Sequence, residues 1–170
     1  MKVRTFAGVL VGATSLVAAM ALPSHAASSG IVTFAGTIRL SSTLPGAGQT
    51  AFCFLDLGAQ CANGLQPTGN AAGAASSLRA IDGLQGSAAY TETCVQGIPV
   101  TGNATILAKV HEALPTEVWS GDIRTQWTRA GLVAVMQGDA TGVAIFAPRT
   151  PAACGTAADA AVLGIAEVTY

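Results

Sequence analysis

Charged residues are scarce in this chain. Asp, Glu, Lys and Arg make up 10% of its 170 residues, against about 25% in an average soluble protein. The basic residues are scattered, which argues against nucleic acid as a partner because phosphate backbones are bound by grouped Lys and Arg. The absence of charge runs also argues against a disordered charged tail. We therefore expect a surface covered mainly by Ser, Thr, Gly, Gln and Asn.

Motifs for nucleotide binding and nucleophilic catalysis are missing as well. No glycine-rich loop leads into a helix, so no nucleotide site is predicted, and no Gly-x-Ser-x-Gly motif is present. His111 is the single histidine outside the first 26 residues. A Ser-His-Asp triad would need His111 as its base, and the aspartates that could orient it are Asp56, Asp82, Asp122, Asp139 and Asp159. We interpret His111 instead as a solvent-facing residue at the end of a strand.

The nine acidic residues are also scattered singly. A glycosidase would need a pair of carboxylates. The only notable candidates are Glu112 and Glu117, which flank a loop at Pro115. We interpret both as solvated loop charges. The sequence therefore predicts no catalytic residues and no cofactor, and we expect a protein that is not an enzyme.

The N-terminus has the three parts of a secretory signal peptide. Lys2 and Arg4 make a basic start, an apolar run extends over residues 6–22, and Ser24 and Ala26 form a small-x-small cleavage pattern after Pro23. An uncleaved anchor is the alternative, but the run has only about 17 residues against the usual ~20. We expect cleavage after residue 26, a single secreted or cell-surface domain at residues 27–170, and no stable membrane insertion afterwards.

Four cysteines lie in the expected mature chain: Cys53, Cys61, Cys94 and Cys154. An even number in an exported chain indicates two disulfides, for which three pairings are possible. We favour Cys53–Cys61 as a local link and Cys94–Cys154 as a link between distant strands. The spacings do not match the closely spaced pairs of zinc sites, so no metal site is predicted.

Strand patterns are strong in the second half. Residues 98–110 alternate with the apolar side chains at even positions, and residues 117–129 place Trp119, Ile123 and Trp127 inward, with a bulge expected at Gly121. Residues 131–136 are apolar on both faces, as in a central strand. Further strands are predicted at residues 143–147 and 161–170. Residues 131–136, the turn at residues 137–142 and residues 143–147 are predicted to form a meander.

The first half is less regular. Residues 31–40 alternate and residues 51–55 are a short apolar strand, whereas residues 58–77 read as a long loop and residues 78–81 and 87–95 as weaker strands. No amphipathic helix with capping signals stands out. The sequence predicts an all-β fold, an antiparallel β-sandwich or barrel of about eight strands stapled by disulfides.

Trp119 and Trp127 are the candidate ligand-binding residues. Exposed aromatic rings on one strand face can stack on sugar rings, which would make a carbohydrate-binding face. Buried Trp is a normal core component of β-proteins, and Ile123 between the two favours the core interpretation.

The second half resembles small secreted β-rich actinobacterial proteins of uncharacterised function. The segments that carry this resemblance are residues 92–94, 126–131, 137–146 and 154–155. The resemblance implies a secreted β-rich domain and brings no activity or functional residues with it.

The ends of the chain resemble chaperone–usher pilin subunits, through residues 30–38 as a first strand and residues 167–170 as a tyrosine-bearing last strand. That resemblance implies assembly by addition of a neighbour's strand. The leading hypothesis is a non-enzymatic secreted or cell-surface β-domain with a structural or interaction role, with a protein or carbohydrate partner. The alternatives are a pilin-type subunit and a carbohydrate-binding module.

Overall fold

The computed structural model describes residues 27–44, 47–56, 58–76, 79–95, 98–113, 117–148 and 157–170. The expected signal peptide lies outside them, as do the side chains of Cys94 and Cys154. The described residues contain nine strands: β1 (Ser29–Leu44), β2 (Ala47–Leu55), β3 (Gly69–Ala75), β4 (Ala80–Val95), β5 (Ile98–Glu112), β6 (Val118–Ala130), β7 (Val133–Gly138), β8 (Ala140–Phe146) and β9 (Ala158–Thr169). The all-β prediction is confirmed. In the described part of the chain, no helix has the length and apolar character needed to span a membrane.

The strands form one sheet that closes into a barrel. The closing pair is long, because β1 and β9 are antiparallel from Ser29↔Thr169 to Leu40↔Ala158. Of the two architectures that the sequence allowed, the barrel is the one found. The predicted meander is also confirmed, since β6 pairs with β7 and β7 with β8.

β2 and β3 occupy the same position in the barrel wall at different heights. β1 pairs with β3 from Gly30↔Ala75 to Gly36↔Gly69, and with β2 only further along, at Ser41↔Gln49 and Leu44↔Ala47. β4 likewise pairs with both strands. β2 and β3 lie side by side only at the parallel pair Phe54↔Gly69. Elsewhere the wall is eight strands around, a size whose interior is filled by side chains or holds one small ligand.

The predicted loop at residues 58–77 is wrong where β3 forms. Its sequence, Gly69–Ala75, is Gly, Ala and Asn only and gives no alternating hydrophobic signal. The small residues are required by close approach of the neighbouring strand, because a Cβ at Gly73 would collide with the carbonyl oxygen of Ile31. Residues 78–81 and 87–95, predicted as separate strands, contribute to the single strand β4.

The core is the inside of the barrel. The even positions of β1 predicted to face inward are buried there, as are Ile106, Ala108 and Val110 of β5. Five aromatic rings pack in one group with neighbouring centroids 5.4–6.2 Å apart: Phe34, Phe52, Phe54, Trp127 and Phe146. Alternation therefore predicted the inner face of the wall correctly in these strands.

β7 departs from its prediction. Its sequence suggested a strand buried on both faces, but only Ala134 and Met136 are buried, while Val133 and Val135 lie exposed on the outside of the barrel. A single-layered barrel has only one inner face, and no described element covers the outside of this strand.

A bulge in β6 changes the direction of its first residues. Between the pairs Ala108↔Ile123 and Val110↔Ser120, β6 has one more residue than β5, and Gly121 there has a φ of 71°. The extra residue turns Trp119 to the outside of the wall beside His111, its partner in β5. The predicted bulge and the inward Ile123 and Trp127 are confirmed, and the inward Trp119 is wrong.

Candidate functional site

The interior of the barrel is not completely filled. A cavity of about 100 Å³ lies against the aromatic group, and its walls are almost entirely apolar. Space remains because many inward positions carry the smallest apolar side chain: Ala88, Ala104, Ala108, Ala134, Ala140 and Ala166. Leu or Ile at these positions would fill a barrel of this size.

An ion pair lines one end of this cavity. Glu92 of β4 and Arg129 of β6 are 2.9 Å apart, with side chains only 10% and 9% exposed. Arg129 also donates through Nε to the carbonyl of Gly131 at 2.6 Å, and its guanidinium carbon lies 4.8 Å from the centre of the Phe146 ring. The ion pair thus packs on the Phe146 ring. It lies between the aromatic group and the turn that joins β6 to β7.

Thr125 is a buried polar residue in the cavity wall. Its hydroxyl donates to the carbonyl of Ala140 at 2.9 Å and accepts from the amide of the same residue at 2.8 Å. These bonds hold β6 to the start of β8. A molecule in the cavity would therefore be held mainly by apolar contact.

A second polar network closes the opposite end of the barrel. Glu112, at the end of β5, accepts from Arg79 at 2.8 Å and from the Tyr170 hydroxyl at 2.6 Å. The prediction that Glu112 is a solvated loop charge is wrong, because its side chain is buried at the barrel end. Glu117 is exposed, as predicted, so the structure does not bring the two carboxylates together in one site.

The network holds its two central groups in defined protonation states. Burial alone would raise the pKa of Glu112, but the hydrogen bonds from Tyr170 and Arg79 and the charge of Arg79 outweigh it and lower the pKa. Burial, the hydrogen bond to Glu112 and its negative charge all raise the pKa of Tyr170. At neutral pH the end of the barrel holds a carboxylate and a neutral phenol, which suits a structural plug.

His111 lies on the outside of the wall, where a second bulge places Asp82 beside it. Between Ile81↔Glu112 and Gly83↔His111, β4 has one more residue than β5, and the His111 Nδ1 is 2.5 Å from a carboxylate oxygen of Asp82. The His111 ring is also 4.9 Å from that of Trp119. Asp82 is one of the five aspartates considered from sequence, and it contacts the histidine.

The prediction that His111 faces solvent is wrong. The segment from Gly58 to Thr68 crosses this part of the wall, and its Gln60 carbonyl accepts a hydrogen bond from the Trp119 indole at 3.2 Å. The disulfide Cys53–Cys61, confirmed as predicted, anchors the segment. Among the described residues, no hydroxyl or thiol is hydrogen-bonded to His111.

The two candidate ligand-binding tryptophans lie in different places. Trp127 packs in the core and lines the cavity. Trp119 lines an open groove between the covering segment and the outer wall, beside Lys109 and Asp122, whose charged groups are 3.4 Å apart. A single face with two stacking rings is therefore not formed.

Four interacting residues were not predicted from the sequence: Glu92, Arg129, Arg79 and Tyr170. The signal for the first pair was present, since Glu92 and Arg129 fall at inward positions of alternating strands, where an isolated charge requires a partner. Arg79 and Tyr170 lie beyond strand ends, where alternation gives no information. Within the described part of the chain, no group of three or more His, Cys, Asp or Glu residues could hold a metal ion.

In comparisons with known proteins, no family model matches this chain, and no curated protein or solved structure matches it.

Proposed function

We propose that the mature chain is a secreted, non-enzymatic binding domain that holds a small apolar molecule inside its barrel. The observation that carries this proposal is the cavity of about 100 Å³ beside the aromatic group. Apolar cavities of about 150 Å³ stay dry and take up benzene, so the chemistry of this one suits a compact hydrocarbon or aromatic ring. Few polar groups line it, so shape and burial of apolar surface would determine selectivity.

Export is part of this proposal. The basic start, apolar run and small-residue exit at residues 1–26 support it. The disulfide Cys53–Cys61 supports it as well, since disulfides persist in oxidising compartments. The absence of enzymatic activity is supported by the surroundings of His111, which packs against Asp82 and Trp119 beneath the covering segment.

Toluene binding to the purified mature protein tests the proposed site. We expect saturation transfer from the protein to toluene in NMR, and a melting temperature that rises with toluene concentration because the ligand binds the folded state. Ala104→Leu adds bulk inside the cavity and should abolish both effects. Ala89→Leu, which makes the same change at an exposed position of β4, should retain both.

The proposal is wrong if toluene does not bind the native protein. It is also wrong if toluene binds the folded Ala104→Leu variant as tightly as the native protein.

The groove at Trp119 favours carbohydrate binding as a second candidate function. It is open, and it combines an indole with the polar side chains of Lys109, Asp122, Arg124 and Asn63. Titration of a Trp127→Phe variant with soluble oligosaccharides would report on Trp119 alone, and unchanged fluorescence across the series would remove this candidate.

Pilin-type assembly stays a prediction. Each described strand is hydrogen-bonded on both sides, wholly or over part of its length, so addition of a strand would first require the ring to open. Strand-exchanged polymers of the mature protein would support it.

A further inference from the structure

The cavity inside the barrel is closed differently at its two ends. At one end the side chains of Glu92 and Arg129 are part of its lining. At the other end, the network of Glu112, Arg79 and Tyr170 lies beyond the residues that line it. Around the circumference the strands are hydrogen-bonded into a closed ring. Among the described residues, the ion pair is therefore the one closure in which charged side chains border the cavity directly.

Gly102 leaves the space that the ion pair crosses. Glu92 pairs with Gly102 from one side and Arg129 pairs with it from the other, so the two backbones are about 10 Å apart, two strand spacings of ~4.8 Å. Because Gly102 has no side chain, the long side chains of its two neighbours meet over it, 2.9 Å apart. At this point the barrel is closed by two long, rotatable side chains and not by packed apolar residues.

The chemistry of the ion pair suits a closure that can open. The two side chains are 10% and 9% exposed, and they also line an almost entirely apolar cavity, so the pair lies at the boundary between the cavity and solvent. The hydrocarbon stem of such a side chain packs against apolar surface, while its charged head is stable in water. A Leu or Phe at the same position would turn into the cavity instead, because burial favours an apolar side chain.

Arg129 keeps two contacts that do not involve Glu92. Its Nε donates to the carbonyl of Gly131 at 2.6 Å, and its guanidinium carbon lies 4.8 Å from the centre of the Phe146 ring. These contacts can remain while the carboxylate and the guanidinium separate. The pair can therefore open by side-chain rotation, without breaking the hydrogen bonds between strands.

We propose that the Glu92–Arg129 pair is the gate through which an apolar ligand enters and leaves the cavity. This inference rests on the proposed function, because it concerns the route to the same binding site. A gate slows association and dissociation together. It has little effect on the equilibrium affinity, which depends on the apolar surface that the ligand contacts once it is inside.

The exchange of toluene labelled with ¹³C in its methyl group tests the gate. NMR relaxation dispersion gives the association and dissociation rate constants, and calorimetry gives the dissociation constant. Glu92→Gln keeps the shape of the side chain and removes its charge. It should raise both rate constants about tenfold or more, because a hydrogen bond between charged groups contributes at least that factor. The dissociation constant should change by less than about threefold, because the two rate constants change together.

Glu112→Gln is the matched control. It makes the same substitution in the network at the opposite end of the barrel, and it should leave both rate constants unchanged even though it destabilises the fold. The control thereby separates the gate from a general loosening of the barrel. Glu92→Asp draws the carboxylate back by one methylene and keeps its charge. It should also raise both rate constants, and it replaces Glu92→Gln if that variant does not fold.

Native rate constants in a folded Glu92 variant overturn the gate. So does an equal rise in Glu112→Gln, since the ligand would then enter through the other end or through a loosened wall. If toluene binds the native protein in either of these cases, the proposed binding site stands and only the gate is wrong. If toluene does not bind the native protein, the binding site is wrong and the gate is wrong with it.

Discussion

Gly121 shows how one residue determines which side chains reach the outside of the barrel. Its φ of 71° lies in the left-handed region, and a Cβ there would collide with the Cβ of Tyr170. Gly131 also has a positive φ, of 58°, but a Cβ there would meet no atom within 4 Å. The two glycines therefore share a backbone requirement and differ in the space around them.

We expect Gly121→Ala to lower the free energy of unfolding by about 3 kcal/mol or more, because the left-handed strain of 1–2 kcal/mol adds to a steric collision. Gly131→Ala should cost only the strain, about 1–2 kcal/mol. Urea unfolding of both variants measures the difference. Equal losses would mean that the bulge does not pack against Tyr170.

At the scale of elements, the segment from Gly58 to Thr68 acts as a cover for the outer wall. Its Ala62 amide donates to the side chain of Gln85 at 2.7 Å, and the Thr68 hydroxyl bonds the backbone of Cys53. The disulfide Cys53–Cys61, eight residues apart in sequence, limits how far this segment can move from the wall. The burial of His111 thus depends on a segment with little regular secondary structure.

Removing the disulfide should loosen the cover and expose Trp119. In the double variant Cys53→Ala with Cys61→Ala, loop-closure entropy predicts a loss of about 2–3 kcal/mol. Acrylamide quenching of Trp119 should increase when it is measured in a Trp127→Phe background. Quenching of Trp127, measured in a Trp119→Phe background, should stay unchanged because that indole lies in the core. An unchanged Trp119 signal would show that hydrogen bonds alone hold the segment.

At the scale of the whole molecule, the network around Glu112 ties the end of the barrel together. Arg79 precedes β4, Glu112 ends β5 and Tyr170 follows β9. The backbone of Tyr170 also exchanges hydrogen bonds with that of Ser28, at 2.7 and 2.8 Å. The network joins the last residue to a strand in the middle of the chain.

Global stability should depend on pH at both extremes. The pKa of Glu112 is lower in the folded chain than its ordinary 4.5, so its contribution is present above that pH and is lost as the pH falls through the folded value. The pKa of Tyr170 is raised above 10, so its contribution is present below pH 10 and is lost at more alkaline pH. Urea unfolding across the pH range should show a loss of stability on each side.

Glu112→Gln should lower the free energy of unfolding at pH 7 by about 1.5–3 kcal/mol, the range for hydrogen bonds to charged groups. The acid loss should shrink, because the group that titrates is gone. Glu117→Gln, at an exposed residue, serves as the control and should change neither quantity. A Glu112→Gln variant with native stability at pH 7 would contradict the role assigned to the network.

By itself, the sequence determined the fold class, most of the inner face and the link Cys53–Cys61. These follow from local patterns, since inward residues of a strand repeat with a period of two and two cysteines eight residues apart can meet within one local segment. The bulge at Gly121 could also be predicted from the sequence, because this glycine interrupts an otherwise regular alternating strand.

Tertiary structure alone decided which sheet edges meet and what covers each outer surface. The burial of His111 and Glu112, the strand at Gly69–Ala75 and the outward Val133 and Val135 all depend on neighbours distant in sequence. Alternation separates the two faces of a strand, but it does not show whether the outer face meets water, a covering segment or another molecule. That depends on the closed ring, in which residues far apart along the chain become neighbours.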